Sequence, residues 1–354
     1  MRDLARFSLF KKVWLRIQKK QCFIMVKKFN WGILGAGKIA GKFAQDLATL
    51  PEACLYAVAS RSESKASVFA REYGFQKTYG SYEAMLKDPA VDVVYIATPH
   101  VFHCQHTLLC LDHHKAVLCE KPFAMNRKEV ETMIHRARGK NCFLMDALWT
   151  LCLPHILKVK EIVDSGQLGR LVSVRADFGF TAEFNPESRL FNRDLGGGAL
   201  LDIGIYPLML SLFLMGKPSK IVADAYIGAT HIDEDCGFLL QFGEKQTAHL
   251  HASLVARTPT EAYIYFEQGY IHIPTRFHEH VKDLTIMHYD DLQETFIPFN
   301  YDVVGYKYEA AEVMRCLEAG KKESDLVPLQ FSLDLMETLD KIRDLIGLQY
   351  PNHD

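Results

Sequence analysis

The chain has 354 residues, 49% of them apolar, which suits two packed domains or one large α/β unit and excludes an intrinsically disordered protein. Formal charges nearly cancel, 41 Lys and Arg against 43 Asp and Glu, so nucleic-acid binding through phosphate neutralisation is not expected. The 22 Gly and 13 Pro exclude collagen-like or low-complexity structure, and no run approaches the roughly 20 apolar residues of a membrane span.

Positive charge is concentrated at the start. Residues 1–24 carry seven basic side chains and one acid, Asp3, so a net +6 precedes a body of −8. This segment reads as a basic extension outside the fold, with Met25 as the working start; an amphipathic transit or membrane-surface segment is the other reading. From Asn30 short apolar runs alternate with helical stretches. Trp31–Leu34 is a strand ending at Gly35, followed by a helix over Ile39–Leu50. Leu55–Ala59 is a strand stopped by Ser60-Arg61-Ser62, and Lys65–Tyr73 a helix closed by Gly74. Ser81 caps a short helix Tyr82–Leu86, Val91–Ala97 is a strand broken by Thr98-Pro99, and Phe102–Asp112 is helical. Ala116–Cys119 runs into Glu120-Lys121-Pro122, Asn126 with Glu129 three residues on starts a helix, and Cys142–Met145 is the next strand.

Near-continuous apolar strands separated by helices predict a parallel sheet covered on both faces, a Rossmann domain over residues 25–148. Ligands of such sheets bind beyond the carboxyl ends of the strands, where Gly35, Ser60-Arg61, Thr98-Pro99, Glu120-Lys121 and Asp146 stand. Gly35-Ala36-Gly37-Lys38-Ile39-Ala40 fits the dinucleotide-binding pattern G-x-G-x-x-A. Gly35 permits the turn, Gly37 lets a pyrophosphate approach, Ala40 packs on the sheet, and the helix N-terminus offers free N–H groups. The second strand ends in Ser60-Arg61 rather than a carboxylate. Arg pairs with a 2′-phosphate through its planar fork, which favours NADP; Glu63 leaves NAD open.

After Trp149 the pattern changes. Pro154–Ser165 is a helix ending at Gly166, and Leu171–Phe180 a long strand. Ile221–Tyr226, Gly237–Phe242, Thr247–Ala256 and Ala262–Phe266 are further strands, with Gly269-Tyr270 as a turn. Helices Tyr306–Ala319 and Leu329–Ile346 close the chain. This predicts an α+β domain over residues 149–354 with an open, mostly antiparallel sheet. The nine cysteines form no C-x-x-C pair and sit among apolar neighbours, which suits a reducing, cytoplasmic compartment. His100, His103 and His106 are spaced by three, and His278-Glu279-His280 is a tight cluster. Neither has a second ligand cluster beside it, so no metal is expected.

Gly35-Ala36-Gly37, Ala97-Thr98-Pro99, Glu120-Lys121-Pro122 and the segment Gly196–Tyr206 occur in order. On these motifs the chain, from about Asn30 to its end, resembles the glucose–fructose oxidoreductase / inositol dehydrogenase (Gfo/Idh/MocA) family. Tyr206 closing the glycine segment, Phe143–Thr150 and Gly305–Ala310 are similar to its dimeric dihydrodiol dehydrogenase-like branch. The resemblance implies a homodimeric NAD(P)-dependent oxidoreductase acting on a CH–OH group of a sugar or cyclic diol. It also implies that Tyr206 is the acid/base, that Lys121 orients the nicotinamide side, and that Glu120 and His103 stand by the cofactor.

On spacing alone Lys121 would be a surface lysine and Tyr206 a helix-packing tyrosine. A neighbouring ammonium would lower the phenol pKa. Asp202, four residues before Tyr206, shares its face if the segment is helical and either binds a substrate hydroxyl or holds Lys121; Pro207 is expected to disturb that helix. Trp149 walls the nicotinamide or substrate pocket, or else fills the core between the domains, and Phe180 is assigned to the substrate side. Thr181–Leu195, with Phe184, Arg189, Phe191 and Arg193, is a lid or a connector. Leu151 departs from the Arg that mammalian members of the branch carry after the Trp-Thr pair, which removes a cationic contact for an aromatic diol. Two other readings are kept: a non-catalytic NAD(P)-binding sensor or partner protein, and a sugar-interconverting enzyme with tightly bound cofactor.

Overall fold

A computed structural model describes residues 27–354 apart from Asn352. The basic extension 1–24 and its boundary at Met25 lie outside the described residues.

Apolar runs stopped by Gly, Ser or Pro form six parallel strands: β1 (Phe29–Leu34), β2 (Ala53–Ala59), β3 (Lys77–Tyr79), β4 (Val93–Ile96), β5 (Ala116–Glu120) and β6 (Leu144–Ala147). Their order, β3-β2-β1-β4-β5-β6, is that of a dinucleotide-binding sheet with its crevice where the order reverses. Leu34 lies opposite Ala59 on one side and Ile96 on the other, so Gly35, Ser60 and Ala97 emerge together at the carboxyl edge. The helices are α1 (Lys38–Leu47), α2 (Glu63–Tyr73), α3 (Tyr82–Leu86), α4 (His103–Asp112) and α5 (Arg127–Lys140). The expected stops and caps act locally. Gly74 closes α2 at φ 83°, Ser81 Oγ accepts from Ala84 N at 3.2 Å, and Asn126 Oδ1 accepts from Glu129 N at 2.8 Å. Glu129 reaches back to Met125 N, 3.1 Å, one residue before the capping-box position. The short strand β3 was not expected; its three residues are partly exposed at the sheet edge and carry no apolar run.

The second half contains α6 (Pro154–Ser165) and an eight-stranded sheet of β7 (Leu171–Gly179), β8 (Lys220–Ile227), β9 (Asp233–Phe242), β10 (Gln246–Ser253), β11 (Ala262–Phe266), β12 (Gly269–Ile273), β13 (Asp283–His288) and β14 (Glu294–Pro298). Its order is β14-β13-β12-β11-β7-β10-β9-β8, antiparallel except for β7 and β10. The sheet is therefore mixed: a long connection through α7 (Ile205–Met215) separates β7 from β8, which permits a parallel neighbour. Gly269-Tyr270 begins β12 instead of forming a turn, since the bend falls at Glu267-Gln268. Helices α7, α8 (Tyr306–Glu318) and α9 (Leu329–Ile346) follow in the chain, with α7 against β7 and β10 and α9 against β8. The helical stretch Arg193–Met215 is long and apolar enough to cross a membrane, but 89% of its most apolar window is buried inside the protein, as in a core helix.

Asp233 ties this sheet to the segment that becomes the site. It is fully buried, and its Oδ2 accepts from Leu200 N at 2.6 Å. Burial raises its carboxyl pKa to about 7, above an unfolded value of about 4. A raised folded-state pKa means a stabilising contribution that is complete below the unfolded value and is lost as pH rises through the folded one. Asp233→Asn keeps the acceptor without the charge. The melting temperature of the native chain relative to this variant should therefore fall between about pH 4 and about pH 7. A difference that does not change with pH would show that Asp233 is not protonated in the fold.

Candidate active site

The glycine loop performs two separate tasks. Gly35 has φ +98°, and a Cβ there would stand 2.9 Å from the Ala97 carbonyl, so this turn excludes a side chain. Gly37 has ordinary extended backbone, and a Cβ there would meet nothing within 4 Å; it opens onto space that a phosphate can enter. Helix α1 begins directly after it with no side-chain cap, leaving its first N–H groups free for an anion. Ala40 is fully buried under the helix, as its size allows.

A cavity of about 480 Å³ runs from this loop along the carboxyl ends of β4, β5 and β6 to the start of α7. Gly37, Lys38, Ile39, Thr98, Pro99, His103, Glu120, Lys121, Trp149, Asp202 and Tyr206 all line it, and all were expected at the site. Gly35 and Ala36 lie behind its lining, Gly35 turning the chain and Ala36 lining a neighbouring groove. Arg61 lines an adjoining cavity of about 400 Å³ that shares Thr98 and Pro99 with the first. Ser60 sits between the two strand ends, its Oγ accepting from Ser62 N at 3.3 Å. Thr98 and Pro99 thus border both the cavity that holds Lys121 and the one that holds Arg61.

At the Lys121 end the charges are tightly arranged. Lys121 Nζ donates to the Asp202 carbonyl at 2.7 Å and lies 3.5 Å from Asp202 Oδ1. Arg189 Nη1 donates to the same Oδ1 at 2.8 Å. Leu200–Gly204 is a π-helical turn that leads into α7, and it places Asp202 and Tyr206 on one cavity wall. Pro207 does not break this helix. It has no N–H to return to the preceding turn, and in that turn the Asp202 carbonyl serves Lys121. Lys121 Nζ also lies 4.9 Å from the centroid of the Tyr206 ring, and Trp149 Nε1 donates to Tyr206 Oη at 3.2 Å.

Burial is the largest influence on each group, and neighbouring charges reverse it only at Lys121 and Asp202. Burial opposes the Lys121 ammonium, but Tyr206 and Asp202 outweigh it and raise its pKa. Burial opposes the Asp202 carboxylate, but Lys121 and Arg189 hold it well below the usual range. Tyr206 is raised by burial, with Lys121 and the Trp149 N–H pulling the other way. The expected ammonium effect is therefore present, but burial exceeds it in the protein alone. Glu120 is raised by burial and accepts from the Tyr95 hydroxyl and from Lys121 N. His103 is fully buried, with Thr98 O and Pro122 O each 2.8 Å from a ring nitrogen, and so joins two loops of the site. Burial lowers its pKa and these carbonyls draw it back up.

Phe180 does not line the cavity. Strand β7 ends at Gly179, and Phe180 turns away to pack on the smaller core around Phe191 and Ile203. Phe178 is the phenylalanine near the site, its ring centroid 5.7 Å from that of Tyr206. Leu151 is buried in the core and does not reach the cavity; the guanidinium there comes from Arg189, in the segment read as a lid or connector. His100 and Tyr306 also line the cavity, without having been expected to. His100 directly follows Thr98-Pro99, and its Nε2 lies 3.3 Å from Arg189 Nη1. Tyr306 stacks on Trp149 at 4.5 Å. Gly305, at φ +135°, makes that approach possible, since a Cβ there would come within 3.2 Å of the Trp149 ring. Among the described residues no group of three or more His, Cys, Asp or Glu side chains is placed to hold a metal ion.

Two family models match the chain: the oxidoreductase family, NAD-binding Rossmann fold, over residues 29–147, and the GFO/IDH/MocA C-terminal domain over residues 156–272. The chain belongs to the GFO/IDH/MocA family of oxidoreductases. It is 38% identical over 332 residues to a trans-1,2-dihydrobenzene-1,2-diol dehydrogenase of Danio rerio, covering 91% of this chain and 98% of that one. The human protein of that name is 35% identical over 329 residues, with 91% and 98% covered. Among solved structures, an aldose-aldose oxidoreductase from Caulobacter crescentus complexed with glycerol shares the fold at TM-score 0.83, 23% identity, and 91% and 98% coverage. A levoglucosan dehydrogenase in complex with NADH and L-sorbose does so at 0.82, 18% identity, and 91% and 97% coverage.

Proposed function

We propose that the protein is an NADP-dependent dehydrogenase that oxidises a CH–OH group of a sugar or cyclic diol, with Tyr206 as acid/base and Lys121 assisting. The observation that carries this reading is the pairing of Lys121 and Tyr206 in one cavity with a glycine loop and a free helix N-terminus. A bound oxidised nicotinamide would supply the hydride acceptor. Gly37 and the first N–H groups of α1 receive the pyrophosphate, while Thr98, Pro99, His103, Glu120 and Trp149 border the nicotinamide half. Tyr206 takes the proton of the substrate hydroxyl, and Lys121 favours its phenolate. Asp202 holds Lys121 and Arg189 in place and presents its carboxylate to substrate hydroxyls. The dihydrodiol dehydrogenase names of the relatives, and the L-sorbose bound to the levoglucosan dehydrogenase neighbour, support this substrate class. Pentoses, hexoses and cyclic diols mixed with the protein and NADP should include at least one that reduces it. Binding without reduction by any of them would favour a sensor instead, and cofactor retained through gel filtration a sugar-interconverting enzyme.

Arg61 carries the preference for NADP in this reading, through a fork of donors on the adjoining cavity. Arg61→Ala should raise KM for NADP about ten- to hundred-fold, the worth of a charge-assisted contact, and leave KM for NAD nearly unchanged. Equal changes for both would place Arg61 outside the 2′-phosphate site.

Residues 25–148 are read as the cofactor unit and residues 149–354 as the unit for substrate and dimerisation, in keeping with the two family models. The homodimer would pair the open sheet faces, where Val222, Tyr226 and Leu239 are exposed and Arg175, His251, Tyr263 and Tyr265 border a cavity of about 870 Å³. A cytoplasmic setting suits the eight free cysteines among the described residues.

A further inference from the structure

The chain beyond α9 has no part in that mechanism, yet it bonds to both segments that supply the Lys121–Tyr206 pair. Gly347 closes α9 at φ 69°, and Leu348 and Tyr350 after it are buried, Tyr350 to 1% exposure. The guanidinium of Arg343, itself buried, lies 5.4 Å from the Tyr350 ring centroid. Arg343 also holds the Asp354 carboxylate at 2.9 and 3.2 Å, and that carboxylate accepts from Tyr350 N. Two sets of bonds leave this knot. One goes to the glycine segment: Tyr350 Oη donates to the Gly197 carbonyl at 2.7 Å, and Arg193 Nε donates to the Gln349 carbonyl at 2.6 Å. The other goes to the start of α5, five residues after Lys121. Asn126 Nδ2 donates to the His353 carbonyl, and His353 Nδ1 lies 2.7 Å from Glu129 Oε1.

The glycine segment has no slack where Tyr350 meets it. A Cβ on Gly197 would stand 2.6 Å from the Leu190 carbonyl and 2.8 Å from that of Arg189. Gly198 has φ +128°, and a Cβ there would lie 3.2 Å from Tyr350 Oη. A Cβ on Gly196 would stand 3.1 Å from the Met125 side chain, on the loop that follows Lys121. The Gly198 carbonyl accepts from Asp202 N at 3.4 Å, and the Asp202 carbonyl accepts from Lys121. Contacts therefore run without a break from Tyr350 through Gly197-Gly198 and Asp202 to the ammonium beside Tyr206. Burial holds the Tyr350 phenol well above its usual pKa, so it remains a donor.

We infer that Tyr350 is a positioning residue for the reaction, setting through Gly197 and Gly198 where Asp202 holds the Lys121 ammonium against the Tyr206 ring; this rests on the dehydrogenase reading above. Tyr350 does not line the cavity, so it acts by placement alone. Misplacement of a reacting group by about 1 Å can cost about 100-fold in rate. A single buried hydrogen bond to the backbone that leads into Asp202 is enough to govern such a shift.

The full chain with Tyr350→Phe keeps the buried ring and removes one oxygen. Its kcat should fall roughly ten-fold while its NADPH affinity stays native. The alkaline-rising limb of its pH–rate profile should move to higher pH, because a displaced ammonium favours the Tyr206 phenolate less. In Lys121→Met, which lacks that ammonium, adding Tyr350→Phe should move the limb no further. Hydrogen–deuterium exchange should quicken over residues 196–206 and stay native over residues 29–40. Should Tyr350→Phe fail to fold, Arg193→Ala frees the neighbouring Gln349 carbonyl without touching the core, and should lower kcat and move the limb in the same direction. A folded Tyr350→Phe with native kcat and pH profile would overturn the proposal. So would an equal loss of NADPH affinity, a further move of the limb in the double variant, or a native Arg193→Ala where Tyr350→Phe does not fold. Loss of turnover in Tyr206→Phe with none in Tyr350→Phe would remove this inference alone. A native chain inactive on every donor would remove the dehydrogenase reading and this inference with it.

Discussion

Tyr206→Phe should lose turnover by about 10²- to 10⁴-fold, the usual worth of a positioned acid/base, while its dinucleotide affinity stays near that of the native chain. The substitution removes one oxygen from a ring that is otherwise fixed. Phe178, His278 and the Lys121 ammonium all contact the ring, and only the Trp149 donor loses its acceptor. The groups expected to bind the pyrophosphate and the 2′-phosphate are different ones, at Gly37 and at Arg61 on the adjoining cavity. A fluorescence titration with NADPH beside steady-state kinetics separates the two effects. Turnover near that of the native chain would take the acid/base role from Tyr206. Equal losses of binding and turnover would mean that the ring positions the cofactor instead.

Lys121→Met should be nearly as severe, with a loss of about 10²- to 10³-fold in kcat/KM, and should carry a second signature in pH. Lys121 is the positive charge that pulls the Tyr206 pKa down against burial. Without it the phenol ionises later, and the alkaline-rising limb of the oxidation rate should move to higher pH. Asp202 keeps its bond to Arg189, so the variant is expected to fold. Circular dichroism checks that point, and a pH–rate profile checks the shift. A lower rate with an unmoved profile would make Lys121 a substrate-binding group only. Movement to lower pH would contradict the electrostatic account outright.

The Rossmann half was readable because its strands are buried on both faces and end at residues that cannot continue them. Gly35, Ser60, Thr98-Pro99 and Lys121 follow strands that the parallel register brings level, so adjacency in the chain became adjacency at the edge. In the second sheet β13 and β14 went unread. They stand at the outer edge, and β14 is mostly exposed, so no apolar alternation marks it. The site divides in the same way. Residues at strand ends were legible, Tyr206 was legible through the resemblance, and Asp202 through its spacing of four residues from Tyr206. His100, Tyr306 and Phe178 were not, because only tertiary packing carries them to the cavity wall or the Tyr206 ring. Arg189 was noticed in its loop, but nothing in the chain placed its guanidinium on Asp202. Phe180, assigned to the substrate side, follows the last residue of β7 and packs on the smaller core instead.

The central claim is that Tyr206 and Lys121 serve hydride removal from a carbinol carbon. The most direct measurement supplies the native chain and Tyr206→Phe with a turned-over sugar or diol deuterated at that carbon, and follows the label by mass spectrometry of the reduced cofactor. The account predicts label in the cofactor with the native chain and almost none with the variant. Unlabelled reduced cofactor, or equal labelling by both proteins, would contradict it.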